Sequence, residues 1–252
     1  MDNNVRRIGV LAPPGNVAME RELPQYLPPG IVTSHNRLSR PTADITKESL
    51  TLMIASMEQA SRDLAMAWPT PEIIIFGCTS GSFVGGPGRE DEHAEQITQY
   101  TGIPACTTSG AVVMALKALG VRSVFLVTPY IHDVNAHEIA FLEHRGCKVV
   151  ACETFNRLDT RDIAKISSEQ VTKLVLDHAA VAKSSDAVFI SCTNLLTMDQ
   201  IDLLERELGV PVISSNQCSL WAALRHMNVD ASTIAPGRLF RLKQQQSRDL
   251  AA

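Results

Sequence analysis

Two short segments place a thiol beside a hydroxyl just past an apolar run. Cys78-Thr79-Ser80 follows Ile73-Ile74-Ile75, and Cys192-Thr193-Asn194 follows Ala187-Val188-Phe189. A thiolate can act as a nucleophile or as an acid–base group. A cysteine where a strand ends and a helix begins is expected to have a lowered pKa and more thiolate. The surrounding small hydroxyls, amides and backbone N–H groups can hold a carboxylate without a salt bridge. The other reading of either cysteine is a buried core thiol. Two thiols at equivalent positions, each followed by Thr and then by Ser or Asn, favour chemistry.

The elements that must position these groups come twice. Arg7–Pro13, 30–38, Pro71–Gly77 and 102–108 read as strands, with helical spacing over 45–68 and over 109–120, where Gly120 stops the helix. The order recurs as strands over 121–129, 147–158, 186–194 and 209–215 and a helix over 166–185, where Ser167 and Gln170 have capping-box spacing. Pro13 is matched by Pro129, and Asn36-Arg37-Leu38 by Asn156-Arg157-Leu158. The fold expected is α/β: two pseudo-symmetric Rossmann- or flavodoxin-like units with parallel sheets and a site in the cleft between them. Residues 1–118 form the first unit and 119–216 the second, with a C-terminal helix over 217–240 packing back on the first. Ligands in such sheets bind past the carboxyl ends of the strands. That adds Pro13 to Asn16, Pro129 to Ile131, Thr107 to Ser109 and Ser214 to Asn216 to the groups lining the cleft.

Other functions lack support. The chain has 252 residues and a formal net charge of −4, which is no footprint for nucleic acid. The basic stretches Arg6-Arg7 and 238–248 read as solvated ends. No apolar run reaches the roughly 18 residues of a membrane span, and Ile8–Ala12 is too short for a signal-peptide core. A cytoplasmic protein is expected, with its six cysteines as reduced thiols. Cys106, Cys147, Cys152 and Cys218 read as small apolar filler. Residues 81–88 lack the lysine of a P-loop, and Gly85–Gly88 reads either as a loop over the cleft or as plain surface. His93 among the acids of 90–95, and His132 with His137, read as solvated helix faces rather than metal ligands.

The paired motifs, the Thr-Pro-Tyr of 128–130 and the early pattern of Pro13, Asn16, Met19 and Glu20 resemble the cofactor-independent Asp/Glu racemase superfamily. Within it they are most similar to the maleate cis–trans isomerases. The resemblance covers about residues 7 to 228. It implies that Cys78 adds as a thiolate to a double-bond carbon of maleate or a related unsaturated diacid. A succinyl-type adduct then rotates while Cys192 donates and recovers a proton. It implies no cofactor and no metal, a small dicarboxylic acid as partner, no nucleic acid or membrane, and a homodimer or higher homo-oligomer. The substrate-binding set it suggests is Asn16, Thr79, Ser80, Tyr130, Asn156, Thr160, Thr193 and Asn194. Pro14-Gly15 stands where the family has two serines, and Thr160 where it has an asparagine, which bears on the substrate. A racemase using the two cysteines as an acid–base pair, a decarboxylase or lyase, and a non-catalytic acid-binding protein are the competing readings. Cys78 weighs against the decarboxylase branch, which keeps only the second cysteine.

Overall fold

A computed structural model describes residues 5–86 and 88–242. The first half runs β1 (Arg6–Ala12), α1 (Ala18–Glu22), a 3-10 turn (Leu23–Tyr26), β2 (Ile31–Arg37), α2 (Lys47–Ile54), α3 (Met57–Ala65), β3 (Ile73–Phe76), α4 (Thr79–Phe83), α5 (Arg89–Thr101), β4 (Ala105–Thr107) and α6 (Thr108–Leu119). The second runs β5 (Ser123–Tyr130), α7 (His132–His144), β6 (Lys148–Arg157), α8 (Thr160–Ile163), α9 (Ser168–Asp177), α10 (Ala179–Ser184), β7 (Ala187–Ile190), a 3-10 turn (Met198–Gln200), α11 (Ile201–Leu208), β8 (Val212–Ser214) and α12 (Ser215–His226). The strands form two four-stranded parallel sheets of identical order, β2-β1-β3-β4 and β6-β5-β7-β8. The duplicated α/β architecture read from the sequence is the architecture observed.

The apolar runs explain the sheet order. Every residue of β3 and of β7 is buried, as are Val124 to Val127 of β5. Strands covered on both faces occupy sheet interiors, and burying each large aliphatic side chain is worth about 2 kcal/mol. The mixed β2 and β6 take the edges. Gly9 in β1 admits a helix closely: a Cβ there would lie 2.8 Å from Leu64 Cδ2 of α3.

The structure revises several local expectations. The helical stretch 45–68 is two helices, because Ser56 Oγ donates to Met53 O and accepts from Ser39 N–H at the break. The stretch 166–185 is also two helices, opened by the Ser167–Gln170 capping box and broken at His178. The helix expected over 217–240 spans Ser215–His226. Beyond it Asn228 is left-handed (φ 55°), and Leu239 and Phe240 are buried. Of the basic stretches, Arg6-Arg7 is not a solvated end, whereas Arg238 and Arg241 are exposed as expected. Arg6 and Arg7 lie in β1, with Arg6 paired to Glu72, and Arg241 pairs with Asp202. Residues 243–248 lie outside the described residues. In α5, Glu90 and His93 are buried: Arg145, just past α7, reaches across to Glu90, and His93 lies against the Phe76 ring.

Candidate active site

The ends of β3 and β7 meet at the join of the halves. Helices α6 and α12 start there, capped by Thr107 and Ser214, and touch through Ser219 Oγ, which donates to Thr108 Oγ1. Hydroxyls stitch the join. Thr79 Oγ1 donates to Ser215 Oγ at 2.9 Å, and the same oxygen accepts Cys192 N–H at 3.0 Å. Asn16 Nδ2 donates to Thr193 Oγ1 at 2.8 Å, and Thr193 Oγ1 donates to Gly77 O at 3.0 Å. Asn194 accepts Val17 N–H and donates to Thr160 O. Glu22 of α1 accepts Thr197 N–H, Met198 N–H and Asn216 Nδ2 from the second half.

Both thiols are within this join, Cys78 at 5% exposure and Cys192 at 6%. Tyr130, at the end of β5, is 1% exposed, and its hydroxyl acts electrostatically on Cys192 while it also feels the charge of Cys78. Cys78 caps α4 in ordinary extended backbone (φ −141°), and its sulfur accepts Gly81 N–H at 3.3 Å. Cys192 is held at φ 117°, a region non-glycine residues seldom adopt, and its sulfur accepts Asn194 N–H at 3.4 Å.

Their electrostatics differ. The expectation of lowered thiol pKa values does not hold, because burial dominates and raises both. Around Cys78 every other influence opposes burial: the Gly81 N–H, the Ser80 hydroxyl and the positive charge of Arg40. Cys192 is pushed up to about 12, by burial above all, with negative charge on Cys78 and Glu138 adding to it and the Tyr130 hydroxyl and Asn194 N–H opposing it. The surroundings of Cys78 thus favour its ionised form against burial, whereas those of Cys192 include negative charge that opposes ionisation. Of the other cysteines, Cys147 and Cys218 are buried and Cys106 and Cys152 partly so, all with thiols raised by burial.

The structure thus gathers Asn16, Cys78, Thr79, Ser80, Tyr130, Thr160, Cys192, Thr193 and Asn194. It leaves Asn156 out: that residue is exposed at the end of β6 (φ 52°), with no side-chain bond to the cluster among the described residues. Three contributors were not in the predicted set. Ser215 sits at a strand end that the sequence did mark. Glu138 of α7 is 1% exposed and accepts Ser191 Oγ at 2.5 Å. Arg40 comes from the link between β2 and α2. Beside the thiols, a cavity of about 320 Å³ lies between α2, α4 and α7, sharing Ser80 and lined by Leu50, Phe83, Val84, Ile131 and Val134. Among the described residues no group of three His, Cys, Asp or Glu side chains could hold a metal ion. No helix among them is long and apolar enough to cross a membrane.

Two opposed thiols at the strand ends of a duplicated α/β scaffold define a two-cysteine enzyme of the racemase-like kind. A family model described as Arylmalonate decarboxylase matches residues 8–240, and the chain belongs to that family. It is 31% identical over 247 residues to a maleate isomerase of Nocardia farcinica, covering 94% of this chain and 96% of that one. It is 33% identical over 181 residues to an arylmalonate decarboxylase of Bordetella bronchiseptica, covering 72% and 75%. A Cys-to-Ser mutant of the N. farcinica maleate cis–trans isomerase with a covalently bound succinylcysteine intermediate superposes with TM-score 0.85. That pair is 26% identical over 95% of this chain and 100% of that chain.

Proposed function

We propose that the chain isomerises maleate, or a closely related unsaturated diacid, to the trans isomer without a cofactor, by way of a succinyl-cysteine-type adduct. The observation that carries this is the division between the two thiols: Cys78 has only lowering influences set against burial, while Cys192 is pushed up to about 12. A buried thiolate is a soft nucleophile suited to an activated alkene. Its sulfur bonds to one alkene carbon and the π pair moves to the other. That carbon takes the proton from Cys192, leaving a thiolate there. The new single bond rotates. Cys192 then removes the proton, the double bond re-forms, and Cys78 leaves as the thiolate it was. Tyr130 donates to the Cys192 sulfur in its ionised form and so steadies the intermediate. The setting proposed is cytoplasmic.

The test is proton NMR of maleate with the enzyme, together with intact mass after acid quench. Fumarate should appear with wild type. Cys192→Ser should accumulate one substrate mass on Cys78, and Cys78→Ser should show neither product nor adduct. Release of carbon dioxide from an arylmalonate, or solvent deuterium at an amino-acid α-carbon, with no fumarate formed, would overturn the reading in favour of a decarboxylase or racemase.

A further inference from the structure

We infer that Arg40 is the residue that recognises a substrate carboxylate in this chain, and that Gly15 and Thr160 act as the pair that positions it. The inference deepens the reading above and rests on it.

The polar side chains at the join are mostly engaged with each other. Asn16 is held by Thr193, Asn194 by Val17 and Thr160, and Thr79 by Ser215. Two carboxylates still need donors. Arg40 lies in the segment between β2 and α2, which crosses to the second half. Ile45 N–H donates to Leu158 O at 2.9 Å, Thr160 N–H donates to Ala43 O at 3.0 Å, and Asp44 bridges Asp159. The Arg40 guanidinium is fixed on one side only. Its Nε donates to Thr42 O, and its Nη2 to Ala43 O and, at 2.6 Å, to Thr160 Oγ1. Among the described residues no bond is made by its Nη1 and no carboxylate pairs with it, whereas Arg37, Arg145 and Arg241 all have acidic partners. A half-buried guanidinium with free N–H groups and no counter-ion among the described residues, tied through Thr160 to the Asn194 that bonds the Cys192 sulfur, is an anion site at the join of the two thiols, and its charge also acts on Cys78.

The two departures at Gly15 and Thr160 then become one. A Cβ at position 15 would stand 2.5 Å from Thr160 Cγ2, so glycine is what gives the threonine methyl its room. The same threonine presents its hydroxyl to Arg40. The ligand class follows: a planar carboxylate conjugated to the alkene, able to accept two N–H groups and to take up charge as sulfur adds.

The experiment compares Arg40→Gln and Arg40→Lys with wild type on maleate and on its monoamide, maleamate. Alkylation of Cys78 by iodoacetamide, read by peptide mass with and without succinate, supplies a measure that needs no turnover. Arg40→Gln should raise KM for maleate by about 10-fold or more, with a smaller fall in kcat, and erase the preference for maleate over maleamate. It should also abolish protection by succinate. Arg40→Lys should keep part of both. Gly15→Ala should weaken maleate binding in the same sense, and adding Thr160→Ser, which removes the crowded methyl and keeps the hydroxyl, should restore it. Retention of the preference and the protection in Arg40→Gln overturns the inference, as does a loss of kcat with KM and succinate protection unchanged, which marks a structural role. If wild type makes no fumarate but succinate protection still depends on Arg40, the isomerase reading fails while the carboxylate site stands.

Discussion

Replacing Glu138 by glutamine should change how stability depends on pH. The Glu138 carboxyl is buried against Ser191, its Oε2 has no partner, and burial pushes it up to about 8 from 4.5. The ionisable side chains around it are Tyr130 of β5, Cys152 of β6 and Cys192 past β7, all raised in part by negative charge on Glu138. The folded state thus holds a proton that the unfolded chain releases near 4.5. Below that pH the group's contribution is fully present; it is lost as pH rises through about 8. At about 1.4 kcal/mol per pH unit, the loss across this window is about 5 kcal/mol. Glutamine keeps the shape and cannot ionise. Guanidinium unfolding at pH 5, 7 and 9 should therefore show Glu138→Gln gaining on wild type by several kcal/mol from the first pH to the last, at unchanged slope m. Groups common to both proteins cancel in the difference, and Cys152 and Cys192, pushed up to about 12, stay silent there. A difference constant from pH 5 to 9 refutes the reasoning, because it means that water or a further donor already stabilises the ionised carboxylate.

Two further outcomes follow from the join. Glu22→Ala strands Thr197 N–H and Met198 N–H in the buried join, while Asn216 Nδ2 keeps Thr193 O and Leu195 O, so thermal unfolding should register a loss of about 2–4 kcal/mol. Tyr130→Phe removes the hydroxyl that meets the Cys192 sulfur; kcat should fall by about 10²-fold while quenched mass still finds the Cys78 adduct, and loss of the adduct as well would assign Tyr130 to the addition step.

The sheets and the thiol pair were legible because they rest on local signals. Ile73 to Phe76 and Ala187 to Ile190 are short, wholly apolar and followed by small polar residues, which is how a central parallel strand and its ligand end must read. Arg40 was not legible. Its place depends on Asp44 meeting Asp159 across the chain, and no periodicity in the polar stretch after β2 marks that crossing. Asn156 misled for the converse reason: an amide near a strand end reads as a ligand, but β6 is an edge strand that turns it outward. Glu90 looked solvated because its partner, Arg145, belongs to the other half, and His93 because it lies against Phe76, far off in sequence. Glu138 had a signal of its own. Setting Pro129 over Pro13 sets Glu138 over Glu22, two acids on equivalent helices.

That equivalence shows where the duplicated fold stops being symmetric. Glu22 receives three donors and serves as a fastener, whereas Glu138 receives one hydroxyl and keeps an oxygen bare. The cysteines diverge in the same direction. Cys78, in the first half, sits in relaxed backbone with Arg40 nearby; Cys192, in the second, is strained at φ 117° with Glu138 behind it. A half-buried positive charge acting on one thiol and a buried acid acting on the other add to the burial and hydrogen bonds that set their proton affinities. On a scaffold repeated in both halves, the difference between the thiols lies in what departs from the repeat: the Gly81 N–H and Ser80 hydroxyl at Cys78, the Tyr130 hydroxyl and Asn194 N–H at Cys192, with Arg40 and Glu138 adding the smaller charge effects.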